Sequence, residues 1–222
     1  MKKVLLIIIA SFFTLATVVQ AEVKLGLSAS AGYYDASAKE TYGSKQKEDD
    51  ELALPIGSIF AEYMHDTGSA RIGFGVELIP YDIDSDTVEN KRNNGLVNKA
   101  QVSIVNHTTA YLLIGVSDTP AFVKLGYSYA DVETTETIKN LGSKAQSKGN
   151  GTTQNSNYGN DELIGYHVSL GYDHEVSDGF FVRGEAGYHQ YDDTTYSSSS
   201  GGNKITAELS GYDVGIKIGK SF

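Results

Sequence analysis

Two histidines, His167 and His189, stand in segments of alternating polarity and share the polar phase of those segments. Two imidazoles with Glu185 close by could hold a metal ion, because neutral imidazole nitrogens and carboxylate oxygens are common donors to zinc. No third ligand is identifiable, so the expectation is a hydrogen-bond network between strands and no metal. Asp82, Asp84 and Asp86 have the spacing that opens a calcium loop. An EF-hand loop needs Gly at its sixth position and Glu at its twelfth, where Thr87 and Asn93 stand. The expectation there is a solvated acidic connection that gathers divalent ions weakly. Ser197 to Ser200, with His189, Asp192 and Asp193 nearby, contain the side-chain types of a hydrolase. No nucleophile motif surrounds them, and Ser-Gly runs are usually flexible tips. Gly73-Phe74-Gly75 lacks the third Gly and the following helix of a dinucleotide site. His65 and His174 fall in short connections. These residues predict no enzyme and no cofactor.

A second set of ionisable residues shares the polar phase: Arg71, Glu77, Lys124, Arg183, Glu185, Asp213 and Lys217. Neighbours of opposite sign in the sequence suggest the pairs Arg71/Glu77, Arg183/Glu185 and Asp213/Lys217. A charge in a narrow interior is desolvated unless it is paired, so a ladder of salt bridges is expected. Such a ladder either fills and stabilises the interior or lines a conducting lumen and sets its selectivity.

The elements that carry these residues alternate with period two. In Ala70 to Tyr81, the residues Ala70, Ile72, Phe74, Val76, Leu78 and Pro80 oppose Arg71, Gly73, Gly75 and Glu77. Val123 to Ala130, Ile164 to Tyr172, Val182 to Tyr191, Tyr212 to Phe222 and Leu25 to Tyr34 behave likewise. In Leu52 to Tyr63, the phase with Ile59, Ala61 and Tyr63 outward and Ser58 and Glu62 inward is favoured. Ala100 to Ile114 loses its phase near Asn106–Thr109, where a bulge would reset the alternation. Together these predict eight strands. The connections 64–69, 115–120 and 174–179 are short; those near 35–51, 82–98, 131–161 and 192–203 are long. Alternating long and short connections are what an up-and-down barrel of the outer membrane shows. The first is long, which predicts both termini on the periplasmic side.

Composition sets the outer limits. The chain has 222 residues, no Cys, no Trp, 15 Tyr and 24 Gly, with a formal net charge of −10. Lys2 and Lys3, the apolar run that follows, and Val19-Gln20-Ala21 predict a signal peptide over 1–21, with the remaining domain over 22–222. Removing that segment takes away two Lys and no acid, leaving 16 − 28 = −12. So acidic a surface argues against nucleic acid as a partner. After residue 21 no apolar run is long enough for a transmembrane helix. A soluble exported β-protein would have the same alternation. Against it stand the small, Gly-rich polar face with its paired charges, and the aromatic residues near strand ends: Tyr33, Tyr63, Tyr172, Phe180 and Phe222.

The ending Gly-Ile-Lys-Ile-Gly-Lys-Ser-Phe, with Tyr212, Val214, Ile216, Ile218 and terminal Phe222 in alternation, resembles the C-terminal assembly signal of outer-membrane β-barrels. Lys220 departs from the apolar residue usual two places before the end. With the signal peptide and eight alternating segments, the chain resembles the small outer-membrane β-barrel family, that is, OmpA-type barrel domains and opacity-type porins. The resemblance implies an all-β fold, an eight-stranded antiparallel up-and-down transmembrane barrel in the cell outer membrane. It also implies a monomer in contact with outer-membrane lipid and lipopolysaccharide, folded by the barrel assembly machinery. No counterpart of the periplasmic OmpA-like domain is expected. The function so implied is structural and surface-interactive, through long extracellular loops; the alternative is a porin-like channel for ions or small solutes.

Overall fold

In a computed structural model of the chain, the described residues are 21–40, 47–84, 88–91, 97–138, 154–155, 161–197 and 204–222. Residues 1–20, within the segment 1–21 expected as a signal peptide, lie outside them. All regular secondary structure among the described residues is strand: β1 (Ala21–Glu40), β2 (Lys47–Asp66), β3 (Ala70–Leu78), β4 (Ile83–Asp84), β5 (Val88–Lys91), β6 (Val97–Val116), β7 (Ala121–Ile138), β8 (Gln154–Asn155), β9 (Asp161–Ser177), β10 (Phe180–Tyr191), β11 (Thr194–Ser197) and β12 (Lys204–Ser221). Eight of them close a ring in the order β1-β2-β3-β6-β7-β9-β10-β12, each antiparallel to the next, and β12 pairs back onto β1. The short pieces β4 and β5 continue along β6 beyond β3, β8 lies along β7, and β11 continues along β12 beyond β10. The seam is tied to the last residue, since Phe222 and Val23 exchange backbone hydrogen bonds of 2.9 and 3.2 Å.

The fold is thus the eight-stranded up-and-down barrel that the alternation predicts, with both Ala21 and Phe222 at the end that carries the short turns. The strands run further than the alternation indicates. Lys39 pairs with Lys47, and Thr137 with Lys99, so the strands reach into stretches read from the sequence as long connections. Ladder hydrogen bonds join backbones and need no apolar face, so pairing persists where the polarity pattern stops. For the same reason the short connections contract to 67–69, 117–120 and 178–179. The last is a two-residue Asp-Gly turn with Asp178 at φ 51° and Gly179 at φ 80°. Positive φ at both central residues matches the twist of a tight hairpin. In the first turn, Asp66 accepts from the Ser117 hydroxyl at 2.6 Å and the Gly68 amide at 2.7 Å. Those two donors hold its carboxyl below the ordinary carboxylate range.

The phase loss in β6 is a bulge. Val105 pairs with Asp131 and Thr108 with Tyr129, so β6 spends one residue more than β7, with Asn106 at φ 58°. Before the bulge Ile104 faces the interior; after it, His107, Thr109 and the odd positions do.

The distribution of polarity is inverted relative to a water-soluble protein. Arg183, Lys124 and Glu62 are 1%, 1% and 0% exposed inside the ring, whereas Leu170, Ile216 and Val214 are 66%, 60% and 58% exposed outside it. Glycine on the inner face makes room for aromatic rings. Gly26, Gly75, Gly171 and Gly219 each pair across the ladder with Phe60, Tyr111, Phe122 and Phe181, respectively. A Cβ on Gly171 would lie 2.1 Å from the Phe122 ring. Gly171→Val is therefore expected to displace that ring and lower stability by about 1–3 kcal/mol, read as the urea midpoint of the refolded barrel.

Candidate functional site: the barrel lumen

Four strands bring the first charged cluster together near the short-turn end. The Arg183 guanidinium donates to both carboxylate oxygens of Glu62, at 2.5 and 2.8 Å, and through Nε to Asp173 Oδ1 at 2.5 Å. Lys24 Nζ donates to Asp173 Oδ2 at 2.7 Å, and the Tyr111 hydroxyl to Glu62 Oε1 at 2.8 Å. The guanidinium carbon lies 4.5 Å from the Phe122 ring centroid, a cation–π contact in a desolvated site. Arg suits this position because its planar fork serves two carboxylates at once.

A second cluster lies deeper. Lys124 Nζ donates to Glu77 Oε2 at 2.9 Å and to Glu185 Oε1 at 2.8 Å, while Lys217 Nζ donates to Glu77 Oε2 at 2.6 Å. Ser58 donates to Glu77 Oε1 and Ser169 to Glu185 Oε1, the oxygen that Lys124 also binds; Lys217 Nζ lies 3.6 Å from Glu185 Oε2. Each cluster has two cations and two carboxylates and is formally neutral. Such balance is what burial demands, since an unpaired charge in a dry lumen costs several kcal/mol.

A third group sits above the second. His167 and His189 are directly opposed on β9 and β10, and their rings stack at 4.1 Å with 5° between planes. His189 Nε2 is 2.9 Å from Asp213 Oδ1, a hydrogen bond, and His167 Nε2 is 3.9 Å from the same oxygen. Beyond them Tyr34, Ala130, Val132, Leu163 and Tyr191 form a buried apolar layer. His107, re-aimed by the bulge, meets the Tyr191 hydroxyl at 3.0 Å. A cavity lies here, with Glu77, Lys124, Glu185 and Lys217 on one side and Tyr34, Tyr191 and Leu54 on the other.

The barrel therefore joins six of the seven charges singled out in the sequence, but not in the pairs that sequence neighbourhood suggests. Arg183 meets Glu62 and Asp173 instead of Glu185; Lys217 meets Glu77 instead of Asp213. Arg71 stands apart, donating through Nη2 to the Thr119 carbonyl at the short-turn end. Side chains on one strand point in parallel and are spaced along it, so partners come from the adjacent strand, as Asp173 opposite Arg183, or from across the lumen, as Glu62. Lys24, Glu62 and Asp173 belong to the clusters and were not among those seven. Their signal was phase: Lys24 precedes Gly26 and Ser28, and Asp173 follows Ser169 and Gly171, at intervals of two.

Of the other candidates, Asp84 accepts from the Ser103 hydroxyl at 2.6 Å. Asp86, Thr87 and Asn93 lie outside the described residues, as do Ser198–Ser200, while Ser197 ends β11. On the terminal strand Tyr212, Val214, Ile216 and Ile218 point outward and Phe222 is exposed. Lys220, the departure from the terminal pattern, holds its ammonium 4.9 Å from the Phe180 ring centroid and 5.4 Å from that of Phe222. Its stem covers apolar surface while the charge stays at the aromatic rim.

No family model matches the chain and no curated protein matches it in sequence. Among solved structures, it is similar to neisserial surface protein A at 11% identity and a TM-score of 0.31, covering 86% of this chain and 96% of that one. Similarity to Ail, the attachment invasion locus protein of Yersinia pestis, is 12% identity with a TM-score of 0.31 over 89% and 99% of the two chains. The β domain of the Bordetella autotransporter BrkA gives 11% identity and a TM-score of 0.38 over 89% and 99%. At scores this low, the architecture rests on the chain's own strand ladder.

Proposed function

We propose that the chain is an outer-membrane β-barrel with a self-filled lumen, acting in envelope integrity and surface contact and not in catalysis. The observation that carries this reading is the charge-filled interior: Arg183, Lys124, Glu62 and Lys217 are at most 4% exposed and each is bound across the lumen. An eight-stranded barrel has an interior just wide enough for side chains to fill.

The outer face supports the membrane setting. Tyr33, Tyr212 and Tyr188 pair in one row across β1, β12 and β10, and Tyr127 pairs with Tyr166 across β7 and β9. At the other end stand exposed Tyr172, Phe180 and Phe222. From Tyr212 to Phe222 the strand advances about 33 Å, which at a typical barrel tilt gives a height of about 25 Å, that of a lipid-facing band. In this reading the short turns and termini are periplasmic and the long connections face outward, toward lipopolysaccharide. The exposed Tyr212–Phe222 alternation serves the barrel assembly machinery.

Planar-bilayer recording of the purified monomer tests the closed lumen. No steady conductance is expected. A steady conductance that changes when Arg183 or Arg71 is neutralised would replace this reading with the porin-like channel.

A further inference from the structure

We propose that His167, His189 and Asp213 form a lumen site for a divalent transition-metal cation, with Zn2+ as the ion its donors fit best. The three residues come from the adjacent strands β9, β10 and β12, and their ligand atoms all lie within 4.8 Å of one another. Asp213 Oδ1 is the shared vertex, 2.9 Å from His189 Nε2 and 3.9 Å from His167 Nε2. In four-coordinate zinc, bonds of about 2.0–2.1 Å place neighbouring ligand atoms about 3.3 Å apart. The two distances to Asp213 bracket that value, and the imidazoles need only splay from their parallel stack to aim both nitrogens at one point. Two imidazoles and one carboxylate select zinc over calcium or magnesium, which take oxygen ligands. Three protein donors leave one position for water from the adjoining cavity.

Two further observations point to a ligand. His167 is 4% exposed, yet its Nε2 has no hydrogen-bond partner. A buried polar atom left unpaired is costly, and a bound cation would satisfy it. Opposite Asp213 on β10 stands Gly187, where a Cβ would lie 2.5 Å from His167 Nε2 and 2.7 Å from Asp213 Oδ1. The glycine thus keeps open the space between the donors. Charge agrees with this. The cations beneath, Lys124 and Lys217, are bound by Glu77 and Glu185 in a neutral cluster. Asp213 is the carboxylate of the third group, and its charge is one that a bound cation would offset.

The test is Zn2+ binding by the refolded full-length barrel in detergent, by equilibrium dialysis, with Co2+ absorption reporting tetrahedral nitrogen and oxygen coordination. One equivalent per barrel is expected. Asp213→Asn and His167→Gln should each weaken binding at least about 100-fold. Gly187→Ala removes no ligand and should still weaken it at least about tenfold by occupying the space. Should a ligand variant fail to show the heat-modifiable migration of a folded barrel, Gly187→Ala carries the test. A His65→Ala/His174→Ala double variant should bind as the parent does. Absence of saturable binding at micromolar Zn2+, or binding unchanged in both Asp213→Asn and Gly187→Ala, would overturn the site.

Discussion

An Arg183→Met barrel is expected to be about 3–5 kcal/mol less stable than the parent, measured as the urea dependence of heat-modifiable migration after refolding into lipid. The methionine approximates the volume of the Arg183 stem but loses the cation–π contacts of the guanidinium with Phe60, Phe122 and Phe181. It supplies none of the four hydrogen bonds that the guanidinium donates to Glu62 and Asp173. The cluster then has two carboxylates against Lys24 alone, and Glu62, fully buried, keeps only the Tyr111 hydroxyl as donor. The loss is mainly the cost of a stranded charge, not the net worth of the pair. That distinction is measurable. Adding Glu62→Gln to Arg183→Met restores neutrality, since Lys24 and Asp173 remain as a pair, and should recover much of the lost stability. A double variant no better than Arg183→Met would show that packing, and not charge balance, governs the cluster. Arg183→Lys should fall between, because an ammonium cannot serve two carboxylates with a planar fork.

The parts of the fold legible in the sequence were those governed by period two. In Ala70 to Pro80 and Tyr212 to Phe222 each residue's face follows from its parity, and the barrel keeps that assignment; Tyr81, past the end of β3, breaks it and is exposed. The bulge at Asn106 was legible as lost phase, because one extra residue inverts every later side chain. The strand ends were not, since pairing such as Lys39 with Lys47 leaves no mark in hydrophobicity. Lumen partnerships were out of reach for a different reason. Glu62 and Arg183 lie 121 residues apart and meet only because β12 closes on β1 and the ring brings opposite walls together. His167 and His189 share the inward phase of neighbouring strands, but it is a bulge between Phe180 and Phe181 that sets them directly opposite; the Asp178–Gly179 turn alone would put His189 opposite Val168. Their third companion, Asp213, is fixed by the β10–β12 register, which sequence periodicity does not set.

Charge balance organises the two clusters between the short-turn end and the histidines. The clusters around Arg183 and around Lys124 are each neutral, and the aromatic rings seated on glycines separate and shield them. Inside the ring apolar packing is confined to small layers, such as that of Tyr34, Leu163 and Tyr191. The apolar side chains are thereby free to cover the outside.

That inversion makes the outer surface the sharpest test of the membrane setting. Ile216 is 60% exposed and sits on β12 midway between Tyr212 and the aromatic end at Phe222. Ile216→Arg is expected to cost about 2–4 kcal/mol when the barrel is refolded into lipid, the penalty of a cation at the bilayer midplane. The penalty should shrink toward zero for Tyr212→Arg, at the interface. In a soluble barrel both substitutions would replace an exposed apolar group by a charge in water and change stability by no more than about 0.5 kcal/mol. The neighbouring residue follows the opposite rule. Lys217 faces inward at 4% exposure, bound to Glu77, so Lys217→Ile should also destabilise, by leaving Glu77 and Glu185 to share Lys124 alone. On this expectation a charge is harmful at 216 and required at 217, one residue apart, because the pleat sends one side chain outward and the next to the salt bridges. Equal stability of the parent and Ile216→Arg barrels in lipid would remove the membrane assignment altogether.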